Sequence, residues 1–268
     1  MTSSSLPLSS LFTLGSRRAR YLVERNIYVY RHGWIVILSG FFEPLFYLGS
    51  IGFGLGALVG TVTGPAGQPI PYQLFVAPAL LGSAAMNGAI AEGTFNFFFK
   101  LRYNKTFDAI LSTPLSAGDV AVGELVWALI RGGIYAIAFL VVMAVLGLIV
   151  SPWVILAVPA ALLIGFAFGA VAMAATSFMR TWQDFDLVQL VILPMFLFSG
   201  TFYPLDAYPE ALRFIVQLTP LYQGVDLLRS LVVGHLDPIL LFHVAYLAVM
   251  GIAGLVVVSR RLDKLLLK

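Results

Sequence analysis

Residues 153–179 read WVILAVPAALLIGFAFGAVAMAATSFM, a stretch without a charged side chain. A helix needs roughly 20 mostly apolar residues to cross the hydrocarbon core of a bilayer, and this run is longer than that. Arg180 ends the stretch with a charge. The run therefore predicts a membrane-spanning helix, and the chain on either side of it has the same character.

The composition extends this prediction to the whole chain. Of 268 residues, 60% are apolar and 11% are charged, and the mean hydropathy is +0.94. Soluble domains have roughly 45–50% apolar and about 25% charged residues, so a soluble core cannot bury this chain's apolar surface. The chain has no cysteine and three histidines, which argues against disulfides and against thiolate or histidine metal sites. The net charge of +3 is too small for a nucleic-acid-binding protein.

Six apolar segments, bounded by glycine, proline or charge, predict an all-α integral membrane protein with six transmembrane helices. The third looks over-long, and the fifth looks short because Pro194 and Gly200 interrupt it. The six segments are 33–57, 72–98, 119–149, 153–179, 187–203 and 239–258.

Two flanking segments border a single six-span transmembrane domain at 33–258. Residues 1–32 place apolar side chains such as Ala19 and Leu22 on one helical face and Arg17 and Arg18 on another, which predicts an amphipathic helix along a membrane surface. Residues 259–268 form a basic tail.

The lysines and arginines predict the orientation. Thirteen of the sixteen lie in the N-terminal segment, the loops after spans two and four, and the tail, whereas only Arg213 and Arg229 lie in the opposite loops. Because cytoplasmic loops carry the excess of positive charge, both termini are expected in the cytoplasm.

The outward segment 204–238 contains two helical patterns, 209–218 and 221–233, that are too short to cross a bilayer. A re-entrant helical hairpin fits them, and so does an ordinary loop with two surface helices. An aromatic set lies near this segment and either anchors it at the interface or stacks on a sugar or lipid head group: Phe202, Tyr203, Tyr208 and Tyr222.

Four charged side chains fall inside the predicted spans: Glu43, Glu92, Glu124 and Arg131. Each costs at least about 2.5–3.5 kcal/mol at the centre of a helix, so it needs a partner or water. Glu43 and Arg131 lie at similar depth near mid-membrane and are candidates for an ion pair. Either the four act as a latch or line a transport path, or they extend toward the cytosol and are satisfied by local packing.

The inner loop 99–118 predicts a short helix over 104–111, which Pro114 discourages from continuing. Phe107, Ile110 and Leu111 are expected to be exposed for a groove on a partner, although they can equally pack on the chain's own inner surface. Ser116 and Asp119 form a capping-box pattern that begins span three.

The chain has no Gly-Lys dipeptide and therefore no Gly-x-x-x-x-Gly-Lys phosphate loop, so it is not expected to be a conventional ATPase. It also lacks a His-Glu-x-x-His pair and a Gly-x-Ser-x-Gly elbow. A catalytic, cofactor or metal site is not expected in this chain.

Four motifs in order resemble the permease subunits of type 2 ABC exporters, in the branch that contains the nodulation lipo-oligosaccharide and daunorubicin-type drug exporters. Position 79 is alanine where that branch often has glycine. The motifs are EPLFYL at 43–48 with GFGLG at 52–56, FVAPA at 75–79, FDAILSTPLS at 107–116, and FSGTFYPL at 198–205 followed by TPLY at 219–222.

The resemblance implies a bacterial inner-membrane permease that pairs with a second copy or a sibling permease. It implies two cytoplasmic ATP-binding subunits that hold ATP and Mg, with Phe107, Asp108, Ile110 and Leu111 coupling them to this chain. The cargo implied is a lipid-linked, glycolipid or amphipathic drug-like molecule.

Two other classes remain open from the residues alone. A proton-coupled secondary transporter would use Glu43, Glu92 and Arg131. An intramembrane lipid-modifying enzyme is disfavoured by the missing catalytic motifs.

Overall fold

A computed structural model describes residues 8–31, 42 and 45–266 of the chain. Glu43 and residues 33–41 and 44 of the segment 33–57 lie outside the described residues. The described helices in chain order are α1 (Leu8–Tyr30), α2 (Leu45–Val59), α3 (Tyr72–Tyr103), α4 (Thr106–Leu111), α5 (Ala117–Val145), α6 (Pro152–Thr176), α7 (Phe185–Leu197), α8 (Glu210–Leu218), α9 (Pro220–Val233) and α10 (Ile239–Leu266).

Among the described residues, four helices are long and apolar enough to span a membrane: α3, α5, α6 and α10. They coincide with the predicted spans two, three, four and six. The result confirms a largely helical membrane protein.

The fifth predicted segment, 187–203, is helical only as far as Leu197, and α7 has 13 residues. Pro194 has no N–H to donate back to the preceding turn, and the last helical bond runs from Phe198 N to Pro194 O. Gly200 then adopts a φ of +69°, which turns the chain away from the helix axis. The boundary at residue 203 is therefore wrong.

A small β-hairpin, which the sequence did not predict, joins α2 to α3. Strand β1 (Thr61–Thr63) pairs antiparallel with β2 (Pro69–Pro71), with Val62 opposite Ile70. Gly67, with a φ of +76°, lies in the connecting turn.

Helix α6 lies at the centre of the bundle, and small residues allow its neighbours to approach closely. A Cβ on Gly93 of α3 would lie 2.8 Å from Gly169 O, and a Cβ on Gly254 of α10 would lie 2.7 Å from Val171 N. Such close backbone approach is the usual basis of helix association in lipid.

The helices of the outward segment pack differently from each other. On α9, Leu221, Val225 and Leu228 are fully buried among α3, α6 and α10, whereas α8 exposes Phe214 and Ile215. We call the end of the bundle that contains α8 and α9 the hairpin end. The opposite end, which contains α1 and α4, is the α4 end.

Candidate functional site

Helix α1 is packed against α5 through a face that includes Ala19, Leu22 and Asn26. The burial of Ala19 and Leu22 agrees with the apolar face predicted for the N-terminal segment. Gly123 of α5 lies beneath this face, and a Cβ there would lie 2.7 Å from Leu22 Cβ and 3.2 Å from Ala19 O. The two helices can therefore be this close only because residue 123 has no side chain.

Helix α4 begins after Lys105, which has a left-handed backbone with a φ of +48°. Phe107 is 0% exposed, and its ring centroid lies 5.1 Å from that of Phe97 on α3. The prediction that Phe107 is exposed for a partner is wrong, because its ring is buried in an apolar cluster that α1, α3, α5, α6 and α10 build.

Ile110 and Leu111 are half-buried against the same cluster, whereas Asp108 is exposed. Of the two predicted alternatives for these apolar residues, the structure has packing on the chain's own surface. The outward face of α4 and its continuation is formed by Asp108, Ala109, Ser112 and Thr113.

The loop after α4 is tied to its neighbours at both sides. Arg18 of α1 donates a hydrogen bond of 2.8 Å to Pro114 O. The predicted capping box is present, with Ser116 N 2.8 Å from Asp119 Oδ2 and Asp119 N 3.1 Å from Ser116 Oγ. The loop that follows α4 thus contacts α1 and leads into the capped first turn of α5.

Two buried ion pairs join α3 to α5 near the α4 end. Lys100 Nζ lies 2.5 Å from Glu124 Oε2, and Asn26 of α1 donates to Glu124 Oε1 at 3.5 Å. The second pair is Glu92 with Arg131.

Arg131 is held by three kinds of contact. It pairs with Glu92, donates to Tyr135 Oη at 3.2 Å, and lies 5.3 Å from the ring centroid of Tyr30 on α1. The described partner of Arg131 is thus Glu92, whereas the sequence suggested Glu43, which lies outside the described residues. The cations that pair with Glu92 and Glu124 were not predicted, because π-helical turns at Glu92–Asn96 and Phe99–Tyr103 rotate the α3 side chains from ideal α-helical positions.

An apolar cleft of about 830 Å³ lies between α7 and the bundle. Its walls include Phe168 and Val171 of α6, Leu187 and Val191 of α7, and Met250 of α10. A volume of this size is typical of sites that hold small amphipathic ligands.

The loop from α6 to α7 supplies the polar rim of this cleft, with Arg180, Thr181 and Asp184. The backbone N–H groups of Arg180 and Thr181 donate to Asp184 Oδ2 at 2.8 and 3.1 Å. These hydrogen bonds lower the pKa of the Asp184 carboxyl below its usual value.

A second cleft of about 590 Å³ lies on the other side of α7, where Tyr47 of α2 and Asn87 of α3 face Gln189 and Phe196. All residues of α7 are described, and none of them is buried. Helix α7 therefore lies between two clefts and is the least packed of the apolar helices described.

The four aromatic residues at 202, 203, 208 and 222 do not form one exposed cluster. Phe202 and Tyr208 are buried, Tyr222 is half-buried, and Tyr203 is 59% exposed. The Phe202 ring packs edge-on against Phe196, with centroids 5.1 Å apart. Of the four, only Tyr203 presents a largely exposed ring.

Arg229 is a buried cation on α9. It donates to Phe75 O at 3.1 Å and to Gly200 O at 2.7 Å, and its guanidinium lies 3.7 Å from the Phe75 ring centroid. It thus joins α9 to α3 and to the turn after α7.

Comparison with known proteins gives one family and a consistent set of relatives. The ABC-2 type transporter family matches residues 17–233. Nodulation protein J of Rhizobium meliloti (strain 1021) is 33% identical over 201 residues, 74% of each chain. Nodulation protein J of Rhizobium leguminosarum bv. viciae is 29% identical over 267 residues, 98% of each chain, and that of Sinorhizobium fredii is 31% identical over 231 residues, 85% of this chain and 86% of the relative.

Proposed function

The chain belongs to the ABC-2 type transporter family, and on that premise we propose that it is the membrane permease of an ATP-driven exporter whose ATP-binding subunit docks on α4. Family membership implies an ATP-binding partner, since the chain itself lacks a phosphate loop. ATP and Mg would be bound by that partner.

The observation that carries the docking proposal is the construction of α4. Phe107 anchors one face of this helix in the apolar cluster, while Asp108 on the opposite face is exposed. A force on the exposed face reaches α1 through Arg18 and Pro114, and reaches α5 through the Ser116–Asp119 capping box. Ile110 and Leu111 then act as part of the anchor.

We propose that the α4 end faces the cytoplasm of a bacterial cell, with both termini on that side and six spans in the inner membrane. The distribution of thirteen of the sixteen lysines and arginines supports this orientation. Segments 33–57 and 187–203 would be spans one and five, and α8 with α9 would form a re-entrant hairpin.

The two clefts beside α7 support an amphipathic cargo, such as a lipid-linked molecule, a glycolipid or a drug-like compound. The larger cleft is apolar along its walls and has Arg180 and Asp184 at its rim, so an apolar chain and a polar head group would both find matching surroundings. The unburied α7 would line the path, completed by a second permease copy or a sibling.

Reconstitution into vesicles tests this function against proton-coupled secondary transport. The probe is a fluorescent lipid with one acyl chain and an oligosaccharide head, and the vesicles contain this chain with or without its co-purified ATP-binding subunit. We expect probe export only with the subunit, ATP and Mg. Export by this chain alone under an imposed pH gradient would instead establish the secondary transporter.

A further inference from the structure

The hairpin end contains a buried polar cluster that the exporter mechanism above does not use. His243 of α10 is 3% exposed. Its Nδ1 contacts the Gln223 side-chain oxygen, and its Nε2 lies 3.1 Å from Asp226 Oδ2. Both partners are on α9, so the imidazole joins α9 to α10.

The orientation of the Gln223 amide fixes one ring proton. The amide nitrogen of Gln223 donates to Gln217 O, so the amide oxygen faces the ring. A flipped amide would place its oxygen against the Gln217 carbonyl, with two acceptors in contact. Nδ1 of His243 therefore carries a hydrogen and donates it to Gln223.

The second contact needs another proton. A neutral imidazole protonated at Nδ1 has only a lone pair at Nε2, and a carboxylate oxygen is also an acceptor. At 3.1 Å the two atoms form a hydrogen bond only if a proton lies between them. The pair thus holds one proton more than a neutral imidazole and a carboxylate.

Arg229 lies one turn after Asp226 on α9, where it is buried and donates to Phe75 O and Gly200 O. Helix α6 contributes no titratable side chain to this region. The other titratable or charged side chains on α8, α9 and α10 are Glu210, Arg213, Tyr222, Tyr246, Arg260, Arg261, Asp263 and Lys264. Those on α3 and α5 are Tyr72, Glu92, Lys100, Arg102, Tyr103, Asp119, Glu124, Arg131 and Tyr135.

We propose that His243 and Asp226 bind one proton between them and that this proton fastens α9 to α10, so that the hairpin end responds to pH. Asp226 is 25% exposed, which gives the site access to water. Loss of the proton leaves a lone pair facing a carboxylate in a site where His243 is almost fully buried, and this repulsion favours separation of the two helices.

The direction of the pH response follows from linkage. The fastened hairpin binds the proton more tightly than the loosened one, so the fastened state is favoured at low pH and is lost as the pH rises. One linked proton limits the change in the opening equilibrium to about tenfold per pH unit.

Histidine-specific ¹⁵N NMR of the full chain in nanodiscs tests the proton directly. The variants His32→Gln and His235→Gln assign the signals of the three histidines. We expect both nitrogens of His243 to be protonated at neutral pH, and Asp226→Asn to remove the proton from Nε2, which then accepts from the asparagine amide. A bare Nε2 with a protonated Asp226 carboxyl in infrared spectra would also support the shared proton, whereas a bare Nε2 with an ionised carboxylate would overturn it.

Hydrogen exchange of the α9 amides tests the fastening. The rate in the native chain is divided by the rate in Asp226→Asn at each pH, which cancels the chemical pH dependence of exchange. We expect the ratio to rise with pH, by up to about tenfold per unit, because the asparagine link needs no shared proton. A ratio that does not change across the neutral range would overturn the proposal.

The matched control is the exposed pair His235 and Asp237, whose Nε2 and Oδ2 atoms are 4.0 Å apart. Asp237→Asn removes a carboxylate beside a histidine close to the same hairpin. It should leave the pH response of α9 as in the native chain, and loss of the response in this variant would also contradict the assignment to His243.

Discussion

Residue 123 determines how closely α1 approaches α5. The Cβ of a leucine there would lie 2.7 Å from Leu22 Cβ and 2.8 Å from Leu22 Cδ1, distances that real Cβ atoms do not adopt. We expect Gly123→Leu to displace α1 and to cost about 1–3 kcal/mol, as overpacking usually does. Hydrogen exchange of residues 18–30 should rise in this variant.

The control for this substitution is Gly132→Leu on the same helix. Within the described residues, a Cβ at Gly132 meets no atom within 4 Å. This variant should keep the exchange of α1 as in the native chain. Equal disturbance of α1 by both variants would show that the contact at Gly123 does not set the approach.

The Glu92–Arg131 pair is largely buried, so removal of one charge leaves the other without a counter-ion in a site with little water. Side-chain exposure is 8% for Glu92 and 13% for Arg131. We expect Arg131→Met to destabilise the protein by about 3–5 kcal/mol because it leaves a buried carboxylate without its cation. The double variant with Glu92→Gln should regain most of this loss in thermal unfolding, and a double variant less stable than either single variant would contradict the pairing.

The positions of charged side chains that need a partner were predictable, because a charge inside a membrane span is costly. The burial cost of Glu92, Glu124 and Arg131 marked these positions in the sequence. Their partners could not be predicted, because the π-helical turns of α3 change which side chains face α5. The sequence left two surfaces open for Phe107, because a six-residue helix has too few positions for its pattern to distinguish a partner's groove from the chain's own core.

At the scale of one element, substitutions on the exposed and buried faces of α4 are expected to have different effects. Asp108→Lys changes only the exposed face, so we expect the chain to remain folded and the ATP hydrolysis rate of the purified complex to fall. Phe107→Asp places a carboxylate in a fully buried position and should destabilise the chain itself. Thermal unfolding and ATP hydrolysis, measured on the same preparations, separate the two effects.

Glu210→Lys is the control for Asp108→Lys, because it reverses an exposed charge at the hairpin end. It should leave ATP hydrolysis unchanged. If both reversals lower the rate equally, the effect is general and α4 is not the docking helix.

The turn before α7 gives a pH prediction. Because hydrogen bonds from Arg180 N and Thr181 N lower the pKa of Asp184, the carboxylate stabilises the turn above its usual pKa. This stabilisation disappears as the pH falls through the lowered value. The protection of these two amides, corrected for the chemical pH dependence of exchange, should therefore fall in acid, and Asp184→Asn should lower this protection at neutral pH.

Asp186→Asn, on the first turn of the same helix, is the matched control. Asp186 is exposed, and its substitution should leave the acid response of the turn intact. Protection of the Arg180 and Thr181 amides that persists at low pH in the native chain would contradict the role of Asp184.

Spans two, three, four and six were predictable because long apolar runs leave a helix as the simplest way to satisfy the backbone in lipid. The shortness of α7 was only partly predictable, since Pro194 and Gly200 weaken the pattern without fixing where the helix ends. The burial of α9 was not predictable, because it depends on Gly224 lying against Ile164, with a Cβ position 2.7 Å from Ile164 Cδ1.

At the scale of the whole molecule, the family was predictable from motifs in order along the chain, and the match over residues 17–233 confirms it. The clefts beside α7, which we propose hold the cargo, take their shape from residues on α2, α3, α6, α7 and α10 together. Such a surface is not encoded in any single stretch of sequence.

The central claim is that this chain is a permease that works with a separate ATP-binding subunit. Purification of the tagged chain from its native membranes in mild detergent, followed by mass spectrometry, tests this claim most directly. We predict a stoichiometric partner that carries a Gly-x-x-x-x-Gly-Lys phosphate loop and that is depleted by Asp108→Lys. A folded chain that purifies without any such subunit would contradict the claim.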